Sequence, residues 1–438
     1  MASKQTIHDK NGNDVYPITL ANAIFTKDGE ILNSMMLSRE EKLFNNLHFM
    51  RLNINNLNKL SNRLLPHISA NPLLISIKVE AKNIACGLQH SVVLKSDGTV
   101  WSCGYDKYGQ LGSRPTQVLY EFTKVNDLNN IKQISAGAYH TVVLKDDGTV
   151  WTCGYNEYGQ LGLGDTTNRD SFTKVNGIDN VKNIACGRVS TYIVKNDGTI
   201  WSCGNNEDGQ LGLGDTTNRT SFTQITGIDN IKEFYCGNSG SHIFIVKLDG
   251  SVWGCGRNDN KQLGLGDFTA RSSFTQITGL NNVKQISIGS IHTMILKNDG
   301  SVWGCGNNIY GQLGVGEQTN YKDLTQATTN TDNVKKIICG GDHTFLIKND
   351  GTVWGAGYSY YGQLGLNGTI SIDTFTPLSA NVANVEDIVC SDDHSIKIDT
   401  DGSVWGCGLN DAGQIGIENT DVNYYKIFNN CGININDV

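Results

Sequence analysis

The chain has 438 residues, 50 of them Gly and only 5 Pro, with 18% charged residues and a formal net charge of −8. The acidity argues against a groove for nucleic-acid phosphates, which needs a basic face, and no stretch is long and apolar enough to insert in a membrane. High Gly with little Pro points to many tight turns rather than to collagen or a disordered linker, and Met1 to Gln5 lead into no apolar core, so no secretory signal is expected.

Residues 1–70 carry none of the motifs that fill the rest of the chain. Asp14-Val15-Tyr16-Pro17-Ile18-Thr19 reads as a short extended piece and Lys27-Asp28-Gly29-Glu30 as a turn. A helix is predicted over 38–65, opened by a capping box at Ser38-Arg39-Glu40-Glu41 and stopped by Pro66. Leu43, Leu47, Met50, Ile54, Leu57 and Leu64 form a heptad seam, with Ser61 filling its gap. That spacing predicts a short coiled coil and a homo-oligomer, of an order that so short and mixed a seam does not set. Phe44, Phe49, Leu52 and Leu60 lie off the seam and fit the alternative, a helix packed on its own domain. The expected organisation is an N-terminal docking segment (1–37), a helix (38–66), a linker (67–74) and a repeat domain (75–438).

From there on one unit recurs. The tryptophans stand at Trp101, Trp151, Trp201, Trp253, Trp303, Trp354 and Trp405, each shortly after an Asp-Gly pair such as Asp97-Gly98 or Asp401-Gly402. Asp-Gly between apolar alternations is a hairpin signal, expected as a type I′ turn. It joins strands at 92–95 and 99–103 in the first copy and their equivalents in the others. The run 182–186, small and apolar, suits an inner strand, and 171–175, alternating and more polar, an outer one. Gly159-Gln160-Leu161-Gly162-Leu163-Gly164-Asp165 is expected to run between blades, its glycines permitting sharp turns. Four short strands per copy, seven copies and no helical period predict an all-β fold, a seven-bladed β-propeller of four-stranded blades. Tyr424-Tyr425-Lys426-Ile427 stands where an outer strand stands elsewhere, which places the C-terminus beside the first repeat, closing the ring.

Six cysteines (Cys103, Cys153, Cys203, Cys255, Cys305, Cys407) share one repeat position with Ala356, and five others share a second with Ala136 and Ile288. A position that accepts Cys, Ala or Ile is a small buried apolar slot. Neither a disulfide nor a zinc site would accept Ala, and no C-x-x-C occurs. Reduced core thiols in a protein assembled in a reducing cytosol are expected.

His90, His140, His242, His292, His343 and His394 recur once per copy, with Ser190 in the remaining one. Recurrence is what structure demands, whereas catalysis needs an asymmetric constellation. These imidazoles are expected to hold a strand turn by bonding backbone. Gly162-Leu163-Gly164 lacks the helix and Lys of a phosphate loop. No catalytic activity, metal or cofactor is expected. Function should lie where the copies differ. Tyr105, Tyr155, Tyr358 and Tyr360 stand beside Asn and Asp in loops after the Trp strand, a mixture suited to sugar faces and hydroxyls. Tyr108, Tyr158, Tyr310 and Tyr361 read as blade packing. Arg114, Arg257 and the Ser239-Gly240 insertion also break the symmetry. Tyr105, Tyr155, Tyr358, Tyr360, Arg114 and Arg257 are the candidate receptor-binding residues.

The pattern K-x-I-x-x-G-x-x-H followed by Ser or Thr, then D-G-T/S-V/I-W, then G-Q-L-G resembles the regulator of chromosome condensation repeat family over 75–438. The G-Q-L-G segment recurs at Gly109, Gly159, Gly209, Gly311 and Gly362, and is altered at Lys261 and at Gly413-Gln414-Ile415-Gly416. The phrase from Asp14 to Thr19, followed by Lys27-Asp28-Gly29-Glu30-Ile31-Leu32, resembles the opening of tail and baseplate proteins from phages of Gram-positive bacteria. Together the resemblances imply a phage or phage-tail-like-particle tail fibre, made in the bacterial cytoplasm and placed in the virion tail. By this resemblance its N-terminus would dock on tail or baseplate proteins, its coiled coil would make it a trimer, and its propeller would bind a bacterial surface glycan or protein. Two alternatives stay open: a bacterial propeller scaffold for protein–protein interaction, and a nucleotide-exchange factor, the activity associated with a eukaryotic member of the family. The acidic charge and the lack of a basic tail weigh against the last.

Overall fold

Each Asp-Gly-Thr/Ser-x-Trp segment folds as the hairpin at the centre of a four-stranded sheet. The computed structural model describes residues 7–8, 14–15, 83–113, 118–368, 370–382, 384–418 and 423–437. The chain divides into two units, Met1–Leu73 and Leu74–Val438. In the first, Ile7–His8 pairs antiparallel with Asp14–Val15. The predicted helix, its heptad seam from Leu43 to Leu64, and Arg114 lie outside the described residues.

The second unit holds seven sheets of four antiparallel strands, each made of consecutive strands. Blades 1 to 7 span 84–124, 131–174, 181–224, 231–276, 283–327, 334–377 and 385–434. The first strand of each blade lines the central channel. The antiparallel order puts the loops after the first and third strands on one side of the ring, with the G-Q-L-G segments. The Asp-Gly hairpins and the crossovers between blades lie on the other.

The hairpin differs from expectation. Gly98 has φ 79°, while Asp97 is not among the residues of positive φ. The Gly98 N–H donates to Lys95 O at 3.0 Å, and the Lys95 N–H to Thr99 O at 2.9 Å. This is a three-residue loop, a type I turn followed by a left-handed glycine bulge, whereas type I′ needs two left-handed residues. The Asp97 side chain supplies the reason. Its Oδ1 accepts both the Thr99 N–H, at 2.8 Å, and the Thr99 hydroxyl, at 2.6 Å. The same hydroxyl accepts the Trp101 indole N–H at 3.1 Å. These bonds hold the Asp97 carboxyl below the usual carboxylate range. The Asp-Gly-Thr-x-Trp motif is thus one relay that caps the turn and satisfies the half-buried indole. Lys95 Nζ lies 4.5 Å from the Trp101 ring centroid, in cation–π contact.

The apolar core sits between blades. Val142, Leu144 and Val150 of blade 2 pack with Ile184, Ile193 and Cys203 of blade 3 in one buried cluster. Blade 7 meets blade 1 in the same way: Ile396, Cys431 and Ile433 cluster with Ile84, Val93 and Phe122. The Ser96 N–H donates to Ile435 O at 2.8 Å across that closure. Because each blade takes all four strands from one stretch of chain, these junctions hold the ring by packing, by side-chain bonds and by loop backbone bonds, such as Leu88 N–H to Ala138 O at 2.9 Å and Ala138 N–H to Arg188 O at 2.8 Å. The twelve cysteines stand as thiols outside any disulfide, and eleven of them are buried. Burial pushes the Cys103 and Cys153 thiols well up, as expected of core groups rather than reactive ones.

The G-Q-L-G segment does not run between blades, as the sequence suggested. It joins the third and outer strands of one blade and lodges against the outer strand of the next. A Cβ on Gly109 would come within 2.3 Å of Asp170 Cα, and one on Gly112 within 2.4 Å of the Phe172 ring, so both positions demand glycine.

Candidate functional site

The repeated histidines come first, because they decide what the rest of this side can be. His140 Nε2 lies 3.0 Å from Thr191 Oγ1 in the next blade. That hydroxyl donates to Gln160 O, also in blade 2, at 2.7 Å. A hydroxyl that gives its proton to a carbonyl can only accept from the imidazole, which fixes the proton on Nε2. The same arrangement links His90 to Thr141, His242 to Thr293, His292 to Thr344, His343 to Ser395 and, closing the ring, His394 to Ser91. The expected bond to backbone at a strand turn is therefore replaced by a bond to a hydroxyl across a blade junction. The reason is spatial: the imidazole points along the junction, where the neighbour's Thr or Ser is the group within reach. Burial lowers the imidazole pKa values to about 3 at His343 and about 4 at His140, so the belt is neutral.

Junction 3–4 lacks both partners, having Ser190 for the histidine and Ile243 for the hydroxyl. Tyr192, on the second strand of blade 3, satisfies the freed carbonyl from within its own blade: its OH donates to Gln210 O at 2.8 Å and accepts from Ser190 Oγ at 3.1 Å. Three departures from the repeat thus compensate one another.

Two side chains cross the channel. The Ser239-Gly240 insertion carries Asn238 inward, and its Nδ2 donates to Cys86 O at 2.5 Å and Cys390 O at 2.9 Å, in blades 1 and 7. Arg188 of blade 3 reaches Asp392 of blade 7 at 3.2 Å. The cavity that remains among the inner strands is about 180 Å³. With Asn238 across it, a partner must meet a face rather than thread the channel.

On the G-Q-L-G side, above the histidine belt, the blades cease to be alike. Tyr105, Tyr108, Tyr139, Tyr155 and Tyr158 form a connected row over blades 1 and 2, with Tyr108 and Tyr155 centroids 4.9 Å apart. A second row, Tyr310, Tyr358, Tyr360 and Tyr361, runs over blades 5 and 6, with Tyr358 and Tyr360 stacked at 13°. Tyr360 is 60% exposed and the neighbouring Ile309 46%. Between the rows blade 6 contributes Asp342, and blade 7 Asp392, Asp393 and Asp411. Burial and the neighbouring carboxylates raise Asp342 and Asp393 to about 6. Burial and Asp393 raise the Tyr358 phenol to about 12. Tyr139 feels both Arg188 and Asp392, which joins the first row to the acids. The result is one arc, aromatic–acidic–aromatic, across blades 5, 6, 7, 1 and 2.

Tyr105, Tyr155, Tyr358 and Tyr360 all lie in this arc. Arg257 does not. It belongs to blade 4 and is held by Asp259 in a two-pronged pair, with bonds of 2.9 and 2.6 Å. Blade 3 carries Asn205-Asn206-Glu207-Asp208 at the same level. Sequence reading missed Tyr139, which stands in a different loop from the other tyrosines, and the acids, which no repeat motif marks.

Fold and face define a class of protein: a closed repeat propeller with a neutral belt at six of its seven junctions and one irregular surface. Comparison with known proteins gives the family. A model described as an RCC1-like domain matches residues 45–241, and one described as the regulator of chromosome condensation (RCC1) repeat matches 249–296, 299–347 and 350–398. The chain belongs to the RCC1 repeat family. It is similar to the ultraviolet-B receptor UVR8 of Arabidopsis thaliana, 30% identical over 184 residues, 41% of this chain and 42% of that one. It is also similar to the probable E3 ubiquitin-protein ligase HERC6 of Homo sapiens, 31% identical over 41% of this chain and 18% of that one. A third relative is the secretion-regulating guanine nucleotide exchange factor of Bos taurus, 32% identical over 19% of this chain and 18% of that one. The matched stretches span less than half the length of these relatives. Among solved structures, human WBSCR16 is similar with a TM-score of 0.63 and 24% identity, over 73% of this chain and 87% of that one. Yeast RCC1 is similar with a TM-score of 0.68 and 16% identity, over 83% and 90%. At these identities the structures show the fold.

These findings correct the functional expectation. The relatives are plant and animal RCC1-like proteins, and they overturn the reading of the chain as a phage tail fibre located in a virion tail. Tail or baseplate partners, a bacterial surface receptor and a trimer find no support among them.

Proposed function

We propose that the propeller is a protein-interaction module and that the arc on its G-Q-L-G side is the docking surface. One observation carries this reading: the repeated hydroxyls and imidazole Nε2 groups of the junctions serve ring closure, while the arc gathers tyrosines and acids that ring closure does not use. Tyrosine is enriched in interfaces because it supplies a large, stiff, amphipathic contact. The names of the relatives, a receptor, an exchange factor and a ligase, belong to proteins of which this chain matches less than half, and they agree with a module that acts through partners.

The test uses the immobilised full chain and an extract of the cells that make it. The Tyr358→Ala/Tyr360→Ala variant should lose the proteins that the unaltered chain retains and keep its melting temperature. Leu248→Ala, at an exposed hairpin of the opposite side, should retain them. Equal retention by the two variants, or none by the unaltered chain, defeats the reading. The bovine relative supports a second, narrower form: docking on a GTPase and releasing its nucleotide. Release of a fluorescent nucleotide from a retained GTPase separates the two.

A further inference from the structure

The two parts of the G-Q-L-G side differ in what they leave unmatched. On blades 3 and 4 Arg257 is paired with Asp259, and Gln210 Nε2 donates to Asn205 Oδ1 at 2.5 Å. Gln312 of blade 5 does the same with Asn307 Oδ1, at 3.0 Å. In blades 1 and 2, Tyr105 and Tyr155 replace those asparagines. The Gln110 and Gln160 side chains are fully buried, and their Nε2 groups are left with no acceptor. A buried donor left unmet has lost its water and gained nothing in return. The acids are unmet as well: Asp342 accepts one bond, from Gln312 Nε2 at 3.1 Å, and neither it nor Asp393 forms an ion pair among the described residues. Arg188 goes to Asp392 instead. Around Asp393 stand Asp342, Asp392 and Asp411, with Tyr358 and Tyr361 beside them.

We propose that the arc binds an extended, arginine-bearing segment of a partner protein. The inference rests on the docking reading and adds the chemistry of the occupant. A guanidinium is planar and weakly hydrated, so it lies flat on a tyrosine ring while its N–H fork bonds a carboxylate. Rings and carboxylates adjoin here at Tyr358 and Asp393. Lysine brings the charge without the flat face or the fork. The orphan glutamine amides call for a carbonyl, and the main chain of an extended segment offers one at every residue once Tyr105 or Tyr155 turns aside.

The test is calorimetric titration of the full chain with octa-arginine, octa-lysine and octa-citrulline peptides. Octa-arginine should bind at least about fivefold more tightly than octa-lysine, and octa-citrulline should not bind. Asp342→Asn/Asp393→Asn should weaken octa-arginine binding by about tenfold or more. Tyr358→Leu/Tyr360→Leu should erase most of the preference for arginine over lysine. Glu121→Gln/Asp179→Asn removes the same charge from exposed positions elsewhere and should leave affinity within about twofold, as expected of distant screened charges. No binding, equal affinity for arginine and lysine, or an equal loss from the two charge-removing variants overturns the proposal. If the cell-extract partners are still retained through Tyr358 and Tyr360 while octa-arginine fails to bind, the docking reading stands and the arginine chemistry falls.

Discussion

The histidine belt and the arc meet in the loops after the first strands, where Tyr139, Asp342 and Asp393 immediately precede His140, His343 and His394, and they follow opposite rules. Tyr139 immediately precedes His140, yet the imidazole repeats a junction found around most of the ring while the phenol takes part in a row with no counterpart on blades 3 and 4. Where the belt departs from its pattern, at Ser190, Tyr192 and Ile243, the departures give the Gln210 carbonyl a donor again, from within blade 3. In the arc the departures of blades 6 and 7 are met, Gln363 by Asp392 O and Gln414 by Asp411, but those of blades 1 and 2 are not: Gln110 and Gln160 keep unmet donors. Compensated variation marks what the ring needs, and uncompensated variation marks what something outside the ring could use.

Acid should break the comparison most strongly, because it attacks the belt first. The buried imidazoles have folded pKa values depressed from 6.5 to about 3 or 4. Their contribution is therefore fully present above about pH 6.5 and is lost as pH falls toward 4, the unfolded chain taking up the protons. Asp106, Asp342 and Asp393, with carboxyls raised to about 7, 6 and 6 by burial, act in the opposite sense and regain stability on acidification. Six imidazoles outweigh three carboxyls, so the melting temperature should drop steeply between pH 6.5 and 4. A melting temperature that stays level or rises over that range would contradict a neutral belt.

A smaller effect is expected at the compensated junction. Tyr192→Phe removes one hydroxyl, leaves Gln210 O without its donor, and should cost about 1–2 kcal/mol in denaturant unfolding. Grafting the regular junction with Ser190→His/Tyr192→Val/Ile243→Thr should recover most of that loss. A graft no more stable than Tyr192→Phe would mean the three departures do not act as a set.

The propeller was legible because its signals are local and repeated. The Trp period, the Asp-Gly pairs and the G-Q-L-G segments each report a turn or strand within ten residues, and all seven blades formed where they indicated. The type of the hairpin was not legible, since Asp-Gly suits either turn and the choice lies with Thr99 donating its N–H and hydroxyl to Asp97 Oδ1. Nor was the histidine bond, which joins residues 51 apart. The hydroxyl residue that follows most of the histidines, absent at Ile243 in the blade after Ser190, was the available clue. Asn238 and the Arg188–Asp392 pair reach across the ring, and no spacing along the chain announces such a contact. The tyrosines were visible, but their gathering with Asp342 and Asp393 depends on blades 6, 7 and 1 standing side by side.

The most direct measurement compares two tips of the same side. A photo-cross-linking residue is placed in the full chain at Tyr360, in the arc, or at Glu207, exposed on blade 3. Illumination in extract of the producing cells should join a partner protein at position 360 and none at 207. Cross-linking confined to 207, or equal at the two positions, would contradict the claim that the irregular arc is the surface by which this propeller works.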